Sequence, residues 1–193
     1  MKKFSLKDIF VPTVALFAIS LIAALLLAAT NMVTVDKIAE NALEKENQSR
    51  IEVMPAANEF TESEVYGDSG ITYCEALDQN KNVVGYVFTG SAKGYGGDVK
   101  VVVGYLPDGT ISGVSIIADN ETPGLGANAT KDSFKSRFAN KKGVLTVDKA
   151  SNEGQNIQAI TAATVTSKAV VKAVNATTEA FGALKLGGGV DNG

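Results

Sequence analysis

The chain has 193 residues, 45% hydrophobic and 20% charged, with a net charge of −3. Such a chain can pack one ordinary domain plus an appendage, and the acidic balance speaks against a nucleic-acid partner. There is no His, and Cys74 is the only Cys. This excludes, within the chain, iron–sulfur ligation, His-held haem, ordinary zinc binding, a disulfide and His-based catalysis.

From Ile9 to Val35 no residue is charged. A run of that length crosses a hydrocarbon core of about 30 Å as a helix. It exceeds the about 7–15 apolar residues of a cleaved signal peptide, and Leu27-Ala28-Ala29-Thr30 is a weak cleavage site. The reading is a retained anchor, with Pro12 in its first turn. Lys2, Lys3 and Lys7 precede the run, with only Asp8 against them. The positive-inside rule then places the N-terminus in the cytoplasm and the remainder outside. That remainder carries 15 Lys+Arg against 20 Asp+Glu.

Residues 35–52 have a helical pattern, with Ile38, Ala39, Ala42 and Leu43 on one face, and Pro55 ends it. A stretch of weaker pattern follows to about Gly70. The period then changes to two. Residues 71–78, 82–92, 97–106 and 110–119 read as strands rich in Val, Ile, Tyr and Thr, with Cys74 as a small core residue. Their connectors, Gln79 to Asn82, Gly94 to Gly97 and Pro107-Asp108-Gly109, suit hairpins. Residues 127–140 are predicted helical, with Phe134 and Phe138 at i and i+4 facing the core. Short strands at 144–147 and 157–160 precede a helix from Thr164 to Leu186, and the tail is frayed. Strands first and helices afterwards predict an α+β architecture: a transmembrane helix, then a curved antiparallel sheet packed with helices. The corresponding divisions are 1–34, 35–70, 71–187 and 188–193.

Two stretches are not explained by packing alone. In "DNETPGLGANA" (Asp119 to Ala129), Pro123-Gly124 predicts a type II turn, and Gly126 permits a close backbone approach. A plain connector has the same chemistry. In "AITAATVTS" (Ala159 to Ser167), a strand runs into a helix through several hydroxyls. Thr161 or Thr164 can serve there as an N-cap. The same helix start can equally receive a phosphate, because its free N–H groups and dipole favour an anion. The P-loop pattern is absent.

Together, "ETPGLG" and, about 35 residues later, "AITAATVTS" resemble the covalent-flavin FMN-binding domain of the RnfG and NqrC subunits. These belong to the Rnf and Na⁺-NQR respiratory complexes. "KGYGGDVKVVVG" (93–104) and the single N-terminal anchor are similar too. The chain length is closer to RnfG. The family signature runs roughly D-x-x-[ST]-G-A-T-x-[ST]. Thr161 stands at its first hydroxyl position, Ala163 and Thr164 at Ala-Thr, and Thr166 at its last hydroxyl.

The resemblance implies a covalent FMN on Thr166 through a phosphoester. It places Glu121, Thr122, Leu125 and Gly126 near the ring, with Tyr95 as a further ring neighbour. The Ala162–Thr164 backbone is expected near the phosphate, Thr161 and Thr164 as caps beside it, and Lys168 paired with its charge. Ala162 and Gln158 depart from the signature's Gly and Asp; Ala162 would be strained if positive φ were required there, and a tolerated conformation is expected. The implied function is electron transfer within an ion-translocating ferredoxin:NAD⁺ oxidoreductase, with an NqrC-like subunit or another FMN-domain electron carrier as the alternative. Its partners would be integral membrane and redox subunits, with a flavin transferase for loading. The chain is not a complete enzyme alone: it has no dinucleotide fingerprint. Without the resemblance, the motifs fit a membrane-anchored binding or assembly module with no cofactor.

Overall fold

A computed structural model describes residues 6–187. The chain divides into two units, Met1–Lys45 and Glu46–Gly193. Helix α1 runs from Leu6 to Val53 without interruption. The expected anchor and the expected following helix are therefore one helix. The reason is local: no Gly or Pro stands between Thr13 and Met54 to break it. The helix also begins earlier than expected, so Pro12 lies inside it, where its missing N–H removes one ladder bond. Residues 10–33 are exposed throughout, and the helix is long and apolar enough to cross a membrane. This fits a single-pass membrane protein. Thr30 and Thr34 donate their hydroxyls to the carbonyls of Leu26 and Thr30, at 2.8 and 3.0 Å. Polar side chains in such a run thus find partners within the helix.

In the second unit, six strands form one antiparallel sheet. They are β1 (Glu59–Phe60), β2 (Glu64–Tyr66), β3 (Ile71–Leu77), β4 (Val83–Lys93), β5 (Asp98–Tyr105) and β6 (Ile111–Ile117). The order is β1-β3-β4-β5-β6, with β2 also on β3. The meander and its three hairpins agree with the sequence reading. The short β1 and β2 occupy the stretch of weak pattern, which is too brief for a period to show. Bulges at Ala76/Leu77 and Gly104/Tyr105 bend the sheet.

Alternation gives the sheet two apolar faces. One carries Phe88, Val101, Val103, Tyr105, Val114 and Ile116. Helix α3 (Thr164–Gly187) covers it, with Val170, Val174 and Phe181 inward. Phe88 stacks with Tyr73 and meets Tyr105 and Phe181 edge-on. The Tyr105 hydroxyl, deep in this core, bonds the hydroxyls of Thr177 and Thr178 at 2.9 Å each. The other face carries Cys74, Ala76, Val87 and Val102, and receives Val53 and Met54. Val53 fits because Gly104 and Gly113, paired across β5 and β6, leave no side chain in its way, and Gly85 does the same for Met54. Ser112 Oγ then donates to the Val53 carbonyl at 2.8 Å.

The segment 127–140 is the main departure. It forms a 3-10 turn (Gly126–Thr130) and one turn of helix, α2 (Asp132–Lys135), separated by Lys131 in an extended conformation. Phe134 and Phe138 are buried as expected, ring against ring at 5.4 Å. Helix formation stops because the backbone is used elsewhere. Asn140 N–H donates to the Ile111 carbonyl, and Ile111 N–H to that of Lys141. Strands β7 (Thr146–Asp148) and β8 (Asn156–Gln158) pair in parallel. The predicted tail, 188–193, lies outside the described residues.

Candidate functional site

Two loops and a helix start converge at one end of the sheet. The first loop joins β4 to β5, and Gly94 N–H donates to the Gly97 carbonyl across it at 2.8 Å. The second leaves β6. There Thr122, Pro123, Gly124 and Leu125 form a turn closed by Leu125 N–H on the Thr122 carbonyl, with φ of +79° at Gly124. This is the type II turn that Pro-Gly predicts. The third element is the passage from β8 into α3.

Between them lies a cleft of about 540 Å³, lined by Tyr95, Glu121, Thr122, Leu125, Gly126 and residues 162–166. That volume is within the range of small-molecule sites, about 300–1,000 Å³. All the sequence-predicted site residues line it except Thr161 and Lys168. Tyr95, Leu125 and Val165 supply exposed apolar surface on its walls. Val165 was not anticipated; its only signal was its position between Thr164 and Thr166.

The floor of the cleft holds a buried polar constellation. Glu121 is 5% exposed and Thr166 1%. Thr166 Oγ1 donates to Glu121 Oε2 at 2.8 Å. Glu121 Oε1 accepts from the N–H groups of Tyr95 at 2.7 Å and Gly96 at 3.2 Å. Glu121, expected beside the ring, is thus engaged first with Thr166 and the β4–β5 loop. Gly126 stands directly in front of this pair. A Cβ there would fall 2.7 Å from Thr166 Oγ1 and inside the contact distance of Glu121 Oε2. Its absence is what lets the Glu121 carboxylate and the Thr166 hydroxyl pack against the Gly126 backbone.

The expected capping roles are corrected. Neither the Thr161 nor the Thr164 hydroxyl caps α3. The organising hydroxyl is that of Ser167, which accepts from Ile160 N–H at 3.0 Å and donates to the Ala163 carbonyl at 2.9 Å. Thr161 is exposed on the turn outside the cleft. Lys168 is corrected too. It lines a separate groove beside Leu145, Val147 and Lys172. Helical geometry explains this: two residues beyond Thr166, it is rotated by about 200° to another face. Gln158 sits on β8 and is not among the cleft-lining residues.

Ala162 takes the left-handed conformation that the sequence reading associated with strain. Its φ is +61°. Ala163 N–H donates to the Ile160 carbonyl at 3.0 Å, so Ala162 is the third residue of a tight turn that requires positive φ there. Left-handed backbone costs a side chain with Cβ about 1–2 kcal/mol. The flexibility Gly adds to the unfolded chain offsets part of that. Ala162→Gly is therefore expected to stabilise the fold by about 0.5–1 kcal/mol, read as a higher urea midpoint. An unchanged or lower midpoint contradicts the strain.

Cys74 offers no alternative chemistry. It is 2% exposed, and burial pushes its thiol up from the ordinary value. Among the described residues, no group of His, Cys, Asp and Glu is arranged to hold a metal.

Residues 94–179 match the FMN-binding domain family. The chain is 37% identical, over 89% of its length and 91% of the relative's, to the G subunit of the proton-translocating ferredoxin:NAD(+) oxidoreductase complex of Clostridium ljungdahlii. It is 39% identical, over 91% of its length and 92% of the relative's, to the Na(+)-translocating counterpart of Acetobacterium woodii. The G subunit of the ion-translocating oxidoreductase complex of Methanosarcina acetivorans is 34% identical, over 88% and 92%. In fold, the crystal structure of Shewanella oneidensis NqrC is similar, with a TM-score of 0.52 at 20% identity, covering 69% of this chain and 74% of that one. With relatives 34–39% identical over 88–91% of its length, the chain belongs to the G-subunit family of ion-translocating oxidoreductase complexes.

Proposed function

We propose that this chain is an electron-transfer subunit of a membrane-bound, ion-translocating ferredoxin:NAD⁺ oxidoreductase, carrying one FMN as a phosphoester on Thr166. The observation that carries the reading is the Thr166 hydroxyl. It lies at the floor of the cleft, in the first turn of α3, against the backbone of Gly126. The first N–H groups of α3 have no partner within the helix and can receive phosphate oxygens. The exposed walls formed by Tyr95, Leu125 and Val165 suit a flat aromatic ring. Thr122 and the backbone of residues 162–164 complete the enclosure.

When bound, FMN supplies the electron chemistry that no side chain of this chain offers. The residues bind and orient it, and the apolar walls limit water. The open side of the cleft leaves an approach for a redox partner. Ion movement belongs to partner subunits. No acid stands in the apolar span to carry an ion. The proton-translocating and Na⁺-translocating relatives are also about equally similar to this chain. The lysines before the span and the acidic balance after it support a cytoplasmic N-terminus and an extracytoplasmic flavin domain.

Intact mass of full-length protein from its host tests the reading. The expected value exceeds the sequence mass by one FMN less one water, and loading in a foreign host is expected to require a co-expressed flavin transferase. Colourless, unmodified native protein would instead favour an anchored binding module. Protease added to spheroplasts should reach the domain; protection there would reverse the orientation.

A further inference from the structure

We infer that Glu121 is the proton acceptor when Thr166 is esterified, so that the acceptor chain supplies part of its own loading chemistry. This rests on the reading of Thr166 as the attachment point.

Three observations carry it. The first is direction. One carboxylate oxygen of Glu121 is clamped by two loop N–H groups, and the other receives the Thr166 hydroxyl hydrogen at 2.8 Å. The proton that must leave on esterification already points at a carboxylate. The second is the lack of a counter-charge. Among the described residues, no ion pair involves Glu121. A buried carboxylate without a cation is costly, and a neutral Gln would hold the same loops together more cheaply. The third is the room made for it. A Cβ at Gly94 or at Gly126 would collide with a carboxylate oxygen of Glu121, one on each side. The Gly-Tyr-Gly loop and the second Gly of "PGLG" both make space for this one side chain.

The step balances without any redox change. The donor is an FMN unit activated in a pyrophosphate, that is, a flavin dinucleotide. Thr166 Oγ1 attacks the FMN phosphorus and forms the new O–P bond. The pyrophosphate P–O bond breaks, and its electron pair leaves with a nucleoside monophosphate. The hydroxyl proton passes to Glu121 Oε2 and from there to solvent. A positioned base of this kind contributes about 10²–10⁴-fold in rate.

The test uses the full chain in detergent, incubated with flavin dinucleotide and a flavin transferase, with covalent flavin followed by intact mass over time. Glu121→Gln keeps the size of the side chain and an oxygen for the loop N–H groups but loses the basicity. The expected result is loading at least 100-fold slower, with a circular dichroism spectrum and melting curve like the parent's. Loading of a folded Glu121→Gln chain at the parent rate overturns the proposal and leaves Glu121 as a clamp. If Glu121→Gln does not fold, Glu121→Asp decides. It retains the charge but withdraws it from Oγ1 by one methylene, and loading at least tenfold slower is expected; parent-rate loading again overturns the proposal. Failure of the attachment reading looks different: the parent chain would stay unloaded, or Thr166→Ala would still acquire covalent flavin.

Discussion

Thr166→Ala is expected to abolish covalent flavin, from one per chain to none, seen as loss of in-gel fluorescence and of the added mass. The nearby hydroxyls of this segment are placed differently. Thr161 lies outside the cleft, Thr164 begins the helix one half-turn away, and the Ser167 hydroxyl is buried and committed to Ile160 and Ala163. The same change removes the hydroxyl that donates to Glu121 Oε2. A buried acceptor left without a donor costs about 1–3 kcal/mol, so the urea midpoint of the unloaded chain should also fall. Thr166→Ser keeps the hydroxyl and should still be loaded. Covalent flavin on the Ala variant would sink the assignment.

Gly96→Ala is expected to disrupt the site from a position that touches no ligand. A Cβ at Gly96 would run into the Asn120 carbonyl oxygen, and the next nearest atoms are also backbone, including Glu121 Cα at 3.4 Å. Backbone cannot rotate aside as a side-chain tip can. The β4–β5 loop must therefore separate from the β6 exit, breaking the bonds from Tyr95 and Gly96 N–H to Glu121. Overpacking of this kind costs about 1–3 kcal/mol. Flavin loading should fall at least tenfold with it. Gly182→Ala is the control. It lies in α3 with nothing within 4 Å of the new methyl. There the change should stabilise by about 0.5–1 kcal/mol and leave loading untouched. Equal effects at the two positions would refute the role given to the close approach at Gly96.

Much of this fold was legible because its signals are local. An uncharged apolar run shows its length directly. Period-two strands separated by Gly, Asn and Pro-Asp-Gly connectors announce hairpins, and β3 to β6 follow as expected. Pro123-Gly124 specifies its turn within four residues. Where local propensity and tertiary demand disagree, sequence reading fails. The amphipathic pattern around Phe134 and Phe138 is real, yet the backbone beyond α2 is drawn onto the edge of β6. The helix at 35–52 is equally real, but only the continuous backbone shows that nothing separates it from the apolar run.

The site divides along the same line. Residue types and their order were sufficient for the absence of His and thiol chemistry, for the anchor, and for the resemblance that picked out Thr166. What the tertiary structure decided is which of these groups meet. Glu121 and Thr166 are 45 residues apart, and the Tyr95 N–H that clamps the carboxylate is 26 residues from it. No periodicity encodes a contact between a hairpin loop, a strand exit and a helix start. Nor does a run of hydroxyls reveal that Ser167 ties the turn, that Lys168 is rotated away, or that Ala162 is held at positive φ. Those depend on the direction in which α3 leaves β8. That direction is set by burying Val170, Val174 and Phe181 against the sheet, a packing requirement spread over the whole domain.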